Sequence, residues 1–402
     1  MKQSMIKNMI LLTVIIMDLL TGMEFDLFVP GFPELQHYFG LTPFWVEALL
    51  SVNFIGYCLS LFFVGGLADR YGRKPIILLG LIIFVIGSIL CVCTKFYFFI
   101  LIGRFLQGIG IAAPAILSFL IIADSYPLKE QQFLMAMLNA SLNIAAGFAP
   151  VIGSYLTLYF HWQGNFISLL ILGLMALCMT LIFIPHSKLS KHETSLSLHS
   201  YIPIFQSIPL MLLITAFLIS CVPYWLFVGI SPLLYIKDLS ISLSHFGYYQ
   251  GSLAFIFALG SIVFGLIIKN NDFGLKKLLF LTILMFTFSF ILFVIATISN
   301  STNPLFITLI MLSFCMGQII PSVILYPLML NYMPTAKGRV SAVFQGGRLV
   351  LTAIGLQIAG YFYTGSFQNI GIIICVFVLL TVISFYLVMN NRELMQSHKA
   401  LM

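Results

Sequence analysis

From about position 9 to position 389 the chain is a succession of apolar runs, each near twenty residues long, separated by short polar breaks. A helix needs roughly 20 apolar residues to cross a bilayer, and inside the hydrocarbon its backbone must satisfy its own hydrogen bonds. Runs of this length predict an all-α integral membrane protein. They fall at residues 9–29, 48–68, 75–93, 97–123, 134–158 and 165–185, then at 208–235, 246–268, 275–298, 304–326, 338–362 and 370–389. Twelve such spans use about 240 residues of the 402, so no large soluble domain fits beside them. Continuous apolar runs also exclude a barrel of alternating strands. Residues 186–200, HSKLSKHETSLSLHS, form the one long polar stretch. The expected organisation is a six-helix half at 1–185, a cytoplasmic linker at 186–202 and a second six-helix half at 203–402.

Only 8% of residues are charged, yet the net charge is +7. A basic balance alone would suit a nucleic-acid partner, but the positions of the charges explain it differently. With the N-terminus inside, fifteen of the nineteen Lys and Arg fall on cytoplasmic segments, and the outer loops hold only Lys95 and Lys237. Cytoplasmic loops carry such an excess. Both termini are therefore expected in the cytoplasm, with a lipid bilayer and no nucleic acid as surroundings. Short loops point to a bacterial inner membrane. The first run follows Lys2 and Lys7, contains Asp18 and is not followed by a small-residue cleavage pattern, so it reads as a retained span rather than a signal peptide. All seven cysteines lie inside apolar runs with no CxxC or Cys/His cluster, so neither a metal nor a cofactor is implied. No HExxH, acid-rich metal motif or nucleophile elbow suggests an enzyme.

The charges left within spans are few: Asp18, Glu24 and Asp26 in the first, Arg104 in the fourth and Arg348 in the eleventh. A charge at the bilayer centre costs about 2.5–3.5 kcal/mol on insertion scales and faces the bundle interior. No histidine lies in any span, so a proton relay would run on carboxylates. On a continuous helix Asp18 and Asp26 stand roughly 80° and 12 Å apart, whereas Glu24 projects about 160° from Asp26 unless the helix breaks at Gly22. The bland alternative is that the acids only neutralise Arg104 and Arg348. Two readings stay open for Arg348: it lines the cavity against an anionic substrate group, or it snorkels to the cytoplasmic face. Tyr57, Tyr224, Trp225, Tyr248 and Tyr249 are candidates to stack on a lipophilic cation.

Three motifs follow the same order along the chain. Gly65-Gly66-Leu67-Ala68-Asp69-Arg70-Tyr71-Gly72-Arg73-Lys74 resembles the loop signature G-x-L-A-D-R-x-G-R-[RK] of the major facilitator superfamily. Arg104-Phe105-Leu106-Gln107-Gly108-Ile109-Gly110 resembles that family's R-x-x-Q-G-x-G motif. Ala146-Gly147-Phe148-Ala149-Pro150-Val151-Ile152-Gly153-Ser154 resembles its antiporter motif, with Ala146, Ala149 and Ser154 where the motif has glycine. In the first span, Asp18, Asp26 and Pro30 are similar in spacing to the twelve-helix drug/proton antiporters of the MdfA type, and 26–33 to a stretch of the Bcr/CflA exporters.

The resemblance implies the two-half major facilitator fold and a monomeric proton-coupled exporter of lipophilic, cationic or neutral drugs. It implies a gating latch of Gly65, Asp69, Arg70, Gly72, Arg73 and Lys74, with Arg73 facing Asp124. By the resemblance Asp26 would be the main proton site, with Asp18 helping to receive substrate and Arg104 taking part in proton transfer; Glu24 is extra to the pattern and stands beside Asp18 and Asp26 as a further candidate proton site. Asp18, Gln107, the aromatics and Arg348 would receive substrate, and Gly147, Pro150 and Gly153 would form the antiporter segment. The alternatives are an exporter of one endogenous metabolite such as a siderophore, a proton symporter, a lipid-directed membrane enzyme and a non-transporting sensor.

Overall fold

The computed structural model describes residues 2–126, 128–185, 201–270, 274–333 and 336–395. The polar segment 186–200 lies outside them, as do the side chains of Asp69 and Asp124. The described helices are α1 Lys2–Met23, α2 Phe32–Phe39, α3 Pro43–Tyr71, α4 Arg73–Cys93, α5 Tyr97–Ser125, α6 Leu128–Phe183, α7 Ile202–Gln206 and α8 Ile208–Pro232. They continue with α9 Leu243–Asn270, α10 Leu275–Ile298, α11 Pro304–Tyr332, α12 Lys337–Phe362 and α13 Phe367–Asn390. The backbone of α6 is broken at His161 (φ 60°, ψ −178°), so it supplies two spans. With α1, α3, α4, α5 and α8 to α13, the described residues supply twelve helical segments for the twelve expected spans.

Local chemistry sets these boundaries. Pro43 and Pro304 occupy first-turn positions, where a missing N–H costs nothing, and Asn303 Oδ1 accepts from the Leu305 and Phe306 amides ahead of α11. Gly72, at φ 92°, makes the turn from α3 into α4, a conformation that glycine adopts without a Cβ penalty. At the α6 break, Glu34 of α2 bonds His161 Nδ1 at 2.8 Å and accepts from the Trp162 amide at 2.9 Å, fastening the short helix α2 to the restart of α6. Tyr363, just beyond α12, donates to Asp238. Burial, and then that bond, push its hydroxyl well above the ordinary tyrosine range.

The contacts divide the chain into two compact units. The first holds residues 1–196 with 242–251, the opening of α9; the second holds 197–241 and 252–402. Within the first, α3 packs on α5, α4 on α5 and α1 on α6. A Cβ at Gly87 would come within 2.5 Å of the Gly103 carbonyl, the close approach by which membrane helices gain contact without a hydrophobic driving force. In the second, Phe286 packs between Phe314 and Phe385, and Phe217 stacks on Phe344 at 4.7 Å. Hydroxyls inside the spans turn back on their own helix, as Thr13 does to the Met9 carbonyl and Thr381 to that of Phe377. Leu79, Ile82, Ile86 and Ile89 form an exposed stripe on α4, as a lipid-facing surface requires.

Candidate functional site

Of the three acids of the first span, Asp18 lies on α1, whereas Glu24 and Asp26 are held by a turn. α1 ends at Met23, and Glu24, Phe25 and Asp26 lie between it and a short 3-10 turn at Val29–Gly31. The helical arithmetic relating Glu24 to Asp26 therefore runs past the end of the helix on which it was counted. Glu24 turns inward and pairs with Arg104: its Oε1 lies 2.7 Å from Arg104 Nη1, and both side chains are fully buried.

Neutral groups complete this pair. Asn53 Nδ2 donates to Glu24 Oε1 at 2.7 Å and to the Arg104 carbonyl at 2.9 Å. Arg104 Nη1 also donates to Gln107 Oε1 at 2.6 Å, and Nε to the Leu49 carbonyl at 3.3 Å. Gln107 in turn donates to Ser88 Oγ at 2.8 Å, while the Phe28 ring lies 4.0 Å from the guanidinium carbon. Charge-assisted bonds of this kind are roughly twice as strong as neutral ones. Gln107, expected to receive substrate, is spent on Arg104 and Ser88, and so buttresses the arginine.

Glycines bring these groups together. A Cβ on Gly108 would stand 2.1 Å from the Asn53 carbonyl, and one on Gly153 would stand 1.9 Å from that of Leu27. The first lets α3 come close enough for Asn53 to reach Glu24. The second seats the turn that follows Asp26 directly on α6.

The two other carboxylates of the first span lie in this unit without such partners. Asp18 on α1 is buried and neither oxygen accepts a hydrogen bond; Ser118 of α5 faces it, but its hydroxyl is also unengaged. Asp26 is buried with Oδ1 unbonded. Phe25, between the two turn acids, packs on Phe54 at 5.1 Å and on Tyr57 at 5.8 Å, which puts an aromatic wall beside the charges.

The other expected residues are placed as follows. Tyr224 and Trp225 meet edge to face at 5.6 Å on α8. Tyr248 is exposed and its hydroxyl lies 3.0 Å from that of Tyr155. Arg348 stands mid-helix on α12, half-buried, with Nε buried and unbonded and the Cys221 thiol among its neighbours. It thus points into its unit rather than along the helix to an end. Nearby, Gln318 Nε2 donates to Ser220 Oγ at 3.0 Å.

In the loop signature, Arg70 lies over the Tyr71 ring at 5.3 Å. Lys74 Nζ donates to the Leu181 carbonyl at 2.8 Å, which ties α4 to the last turn of α6. Gly65 has open space around it, and Arg73 is half-buried. The expected partners Asp69 and Asp124 fall outside the described side chains. The antiporter segment packs on the opening of α9: a Cβ at Gly251 would meet the Gly147 carbonyl at 2.9 Å, and one at Gly247 the Pro150 carbonyl at 3.1 Å.

Sequence reasoning missed Glu47, Asn53 and Ser88. The last two are neutral and give no charge signal. Glu47 lies one residue ahead of the apolar run that begins at Ala48, yet it is fully buried on the second turn of α3. A proline at the first helical position, Pro43 behind Thr42, was the available sign that the helix starts before the acid.

Comparison with known proteins agrees with this architecture. A relative named an uncharacterised transporter, from Rickettsia felis, is 26% identical over 373 residues, 90% of this chain and 91% of its own. The multidrug resistance protein MdtL of Shewanella sp. strain ANA-3 is 31% identical over 42% of this chain and 44% of its own, so the match spans less than half of that relative. Among solved structures, a D-xylose–proton symporter superposes with a TM-score of 0.75 at 15% identity, over 94% of this chain and 97% of that one. A bacterial homologue of the lysosomal transporter Spinster gives 0.74 at 14% identity, over 96% and 97%. At these identities the structures speak for the fold alone. The sequence model of the Major Facilitator Superfamily matches residues 14–355. The chain belongs to that superfamily and is a multi-pass membrane transporter of small molecules, not an enzyme.

Proposed function

We propose that this protein is a proton-coupled exporter of lipophilic cationic or neutral drugs, acting by alternating access of its two six-helix halves. The carrying observation is a charge imbalance: Asp18, Glu24 and Asp26 are buried in one unit, and among the described residues only Arg104 is buried beside them as a counter-ion. One guanidinium compensates one carboxylate. A second or third buried negative charge must be met by something else, because an uncompensated charge in an apolar interior is expensive. A proton and a cationic substrate each meet that need, and they compete for it. Such competition is the minimal chemistry of antiport, because a ligand shifts an equilibrium only through its different affinity for two states.

In this reading Asp26 and Asp18 exchange protons for substrate. Glu24 and Arg104 form the pair whose opening the protonation biases, and the Phe25–Tyr57 wall receives the apolar part of the drug. The naming of the MdtL relatives for multidrug resistance supports the substrate class. A bacterial inner membrane with both termini cytoplasmic follows from the placement of Lys and Arg, and the loop signature supplies the gate. A second reading, export of one specific metabolite, draws support from Arg348, whose position suits an anionic group on the substrate.

The test uses proteoliposomes loaded at acidic pH and diluted into alkaline buffer. Ethidium, whose charge does not depend on pH, is expected to accumulate inside wild-type vesicles and to leak out on adding a protonophore. Asp26→Asn should reduce accumulation at least tenfold. Undiminished uptake by Asp26→Asn removes Asp26 from the mechanism, and wild-type uptake indifferent to the gradient removes proton coupling.

A further inference from the structure

Glu47 of α3 is fully buried, and neither of its carboxylate oxygens has a hydrogen-bond partner. Its surroundings along the helix are fixed on both sides. Two residues before it, the Trp45 carbonyl accepts from Tyr97 Oη; two residues after it, the Leu49 carbonyl accepts from Arg104 Nε at 3.3 Å. Tyr97 and Arg104 lie seven residues apart on one face of α5, two helical turns. Along the α3 axis Glu47 stands level with the gap between these two contacts, on the α2 side of the buried ion pair, but about half a turn round the helix from Trp45 and Leu49, so its side chain leaves α3 on another face. Asn53, which binds Glu24, stands six residues further on, about 9 Å along α3.

The titratable groups on the elements packed around Glu47 are few. On α5 they are Tyr97 and Arg104, and the arginine is engaged by Glu24. On α4 there are Cys91, whose thiol points at the Ile100 carbonyl, the exposed Cys93, and Arg73 and Lys74 in its first turn, about five helical turns away. On α2, Glu34 is paired with His161, and His37 and Tyr38 are exposed. None forms an ion pair or hydrogen bond with Glu47. A naked carboxylate there would have lost its hydration with nothing in return, whereas a carboxylic acid carries no charge to compensate.

We propose that Glu47 is a second proton-binding group of the transporter, taking up and releasing a proton on the α2 side of the Glu24–Arg104 pair. The proposal rests on the proton-coupled reading above. The placement of Lys and Arg makes the α2 side the outer one, so a proton driven inward meets Glu47 before it meets Glu24. Uptake forms an O–H bond on Glu47 with a proton from the outer solution, and release breaks that bond and returns the proton to water; Asn53, which bonds Glu24, stands about 9 Å further along α3, too far for a direct hand-over. Glu47, charged for the moment, draws the next proton from outside.

The test compares wild type with Glu47→Gln, which keeps the shape of the acid but cannot release a proton. Gradient-driven ethidium uptake is expected to fall at least tenfold in the variant, while ethidium binding and ethidium–ethidium exchange at equal pH stay within twofold of wild type. Infrared difference spectra of the purified protein at neutral pH should lose a protonated-carboxyl C=O band in Glu47→Gln and shift it in Glu47→Asp. Gradient-driven uptake at the wild-type rate in Glu47→Gln overturns the proposal, as does an infrared spectrum unchanged in both variants. The Glu47→Asp spectrum decides the matter if the Gln variant does not fold. A wild-type protein indifferent to the gradient overturns the export reading, and Glu47 with it; a coupled wild type matched by Glu47→Gln overturns the Glu47 assignment alone.

Discussion

Arg104→Ala is expected to abolish transport and to lower the stability of the first unit by about 3–5 kcal/mol, the cost of removing one partner from a buried ion pair. The substitution removes the 2.7 Å bond to Glu24, the 2.6 Å bond to Gln107, the bond to the Leu49 carbonyl and the contact with Phe28. Glu24 is left fully buried with only Asn53 to bond it. Arg104→Lys should fall between the two, since an ammonium keeps the charge but cannot reach Glu24, Gln107 and Leu49 from one planar fork. Pairing Arg104→Ala with Glu24→Leu should recover most of the stability, because replacing both ions with apolar groups removes the desolvation penalty, yet it should recover none of the gradient-driven uptake. Thermal melts of detergent-purified protein by fluorescence-detected size exclusion check the first half of this expectation, and ethidium uptake checks the second. An Arg104→Ala protein as stable as wild type would show that the pair is not closed in solution.

Gly153→Ala carries the second large effect, though it adds a single methyl group. That methyl would stand 1.9 Å from the Leu27 carbonyl, a backbone atom that cannot rotate away, so α6 or the 24–28 turn must move. Overpacking costs typically about 1–3 kcal/mol. Here the displaced turn also carries Asp26 and Glu24, so ethidium uptake should fall at least tenfold even where the protein still folds. Gly65→Ala is the matched control: it has open space around it, and replacing a mid-helix glycine gains roughly 0.5–1 kcal/mol. Equal melting temperatures for Gly153→Ala and wild type would contradict the packing described here. The antiporter segment of α6 thereby acquires a physical task, since its glycine seats the acidic turn.

How much of this was readable beforehand depends on how each feature is encoded. Spans are written in composition over twenty residues at a time, so their number and the organisation into two sets of six follow from hydropathy and the Lys and Arg positions. The motifs around Arg104 and Gly153 are local strings and were equally visible. Which acid would meet Arg104 was not. That choice depends on the turn at 24–26, which follows Met23 with no cap signal in the sequence, so helical arithmetic does not say which acid reaches Arg104. Asn53 and Ser88 are ordinary polar residues until Gly108 brings α3 against α5 and places an amide over the ion pair. Glu47 was hidden by the hydropathy window itself, because an acid in the opening turns of a helix ends an apolar run just as a loop would.

The central claim is that buried carboxylates of the first unit hold protons which substrate displaces. It is tested most directly by adding ethidium to detergent-purified protein in weakly buffered solution near neutral pH, with a pH indicator reporting free protons and calorimetry reporting binding. About one or more protons should be released per ethidium bound, and Asp26→Asn should bind with less release. Saturable binding by the wild type with no proton released would contradict the account.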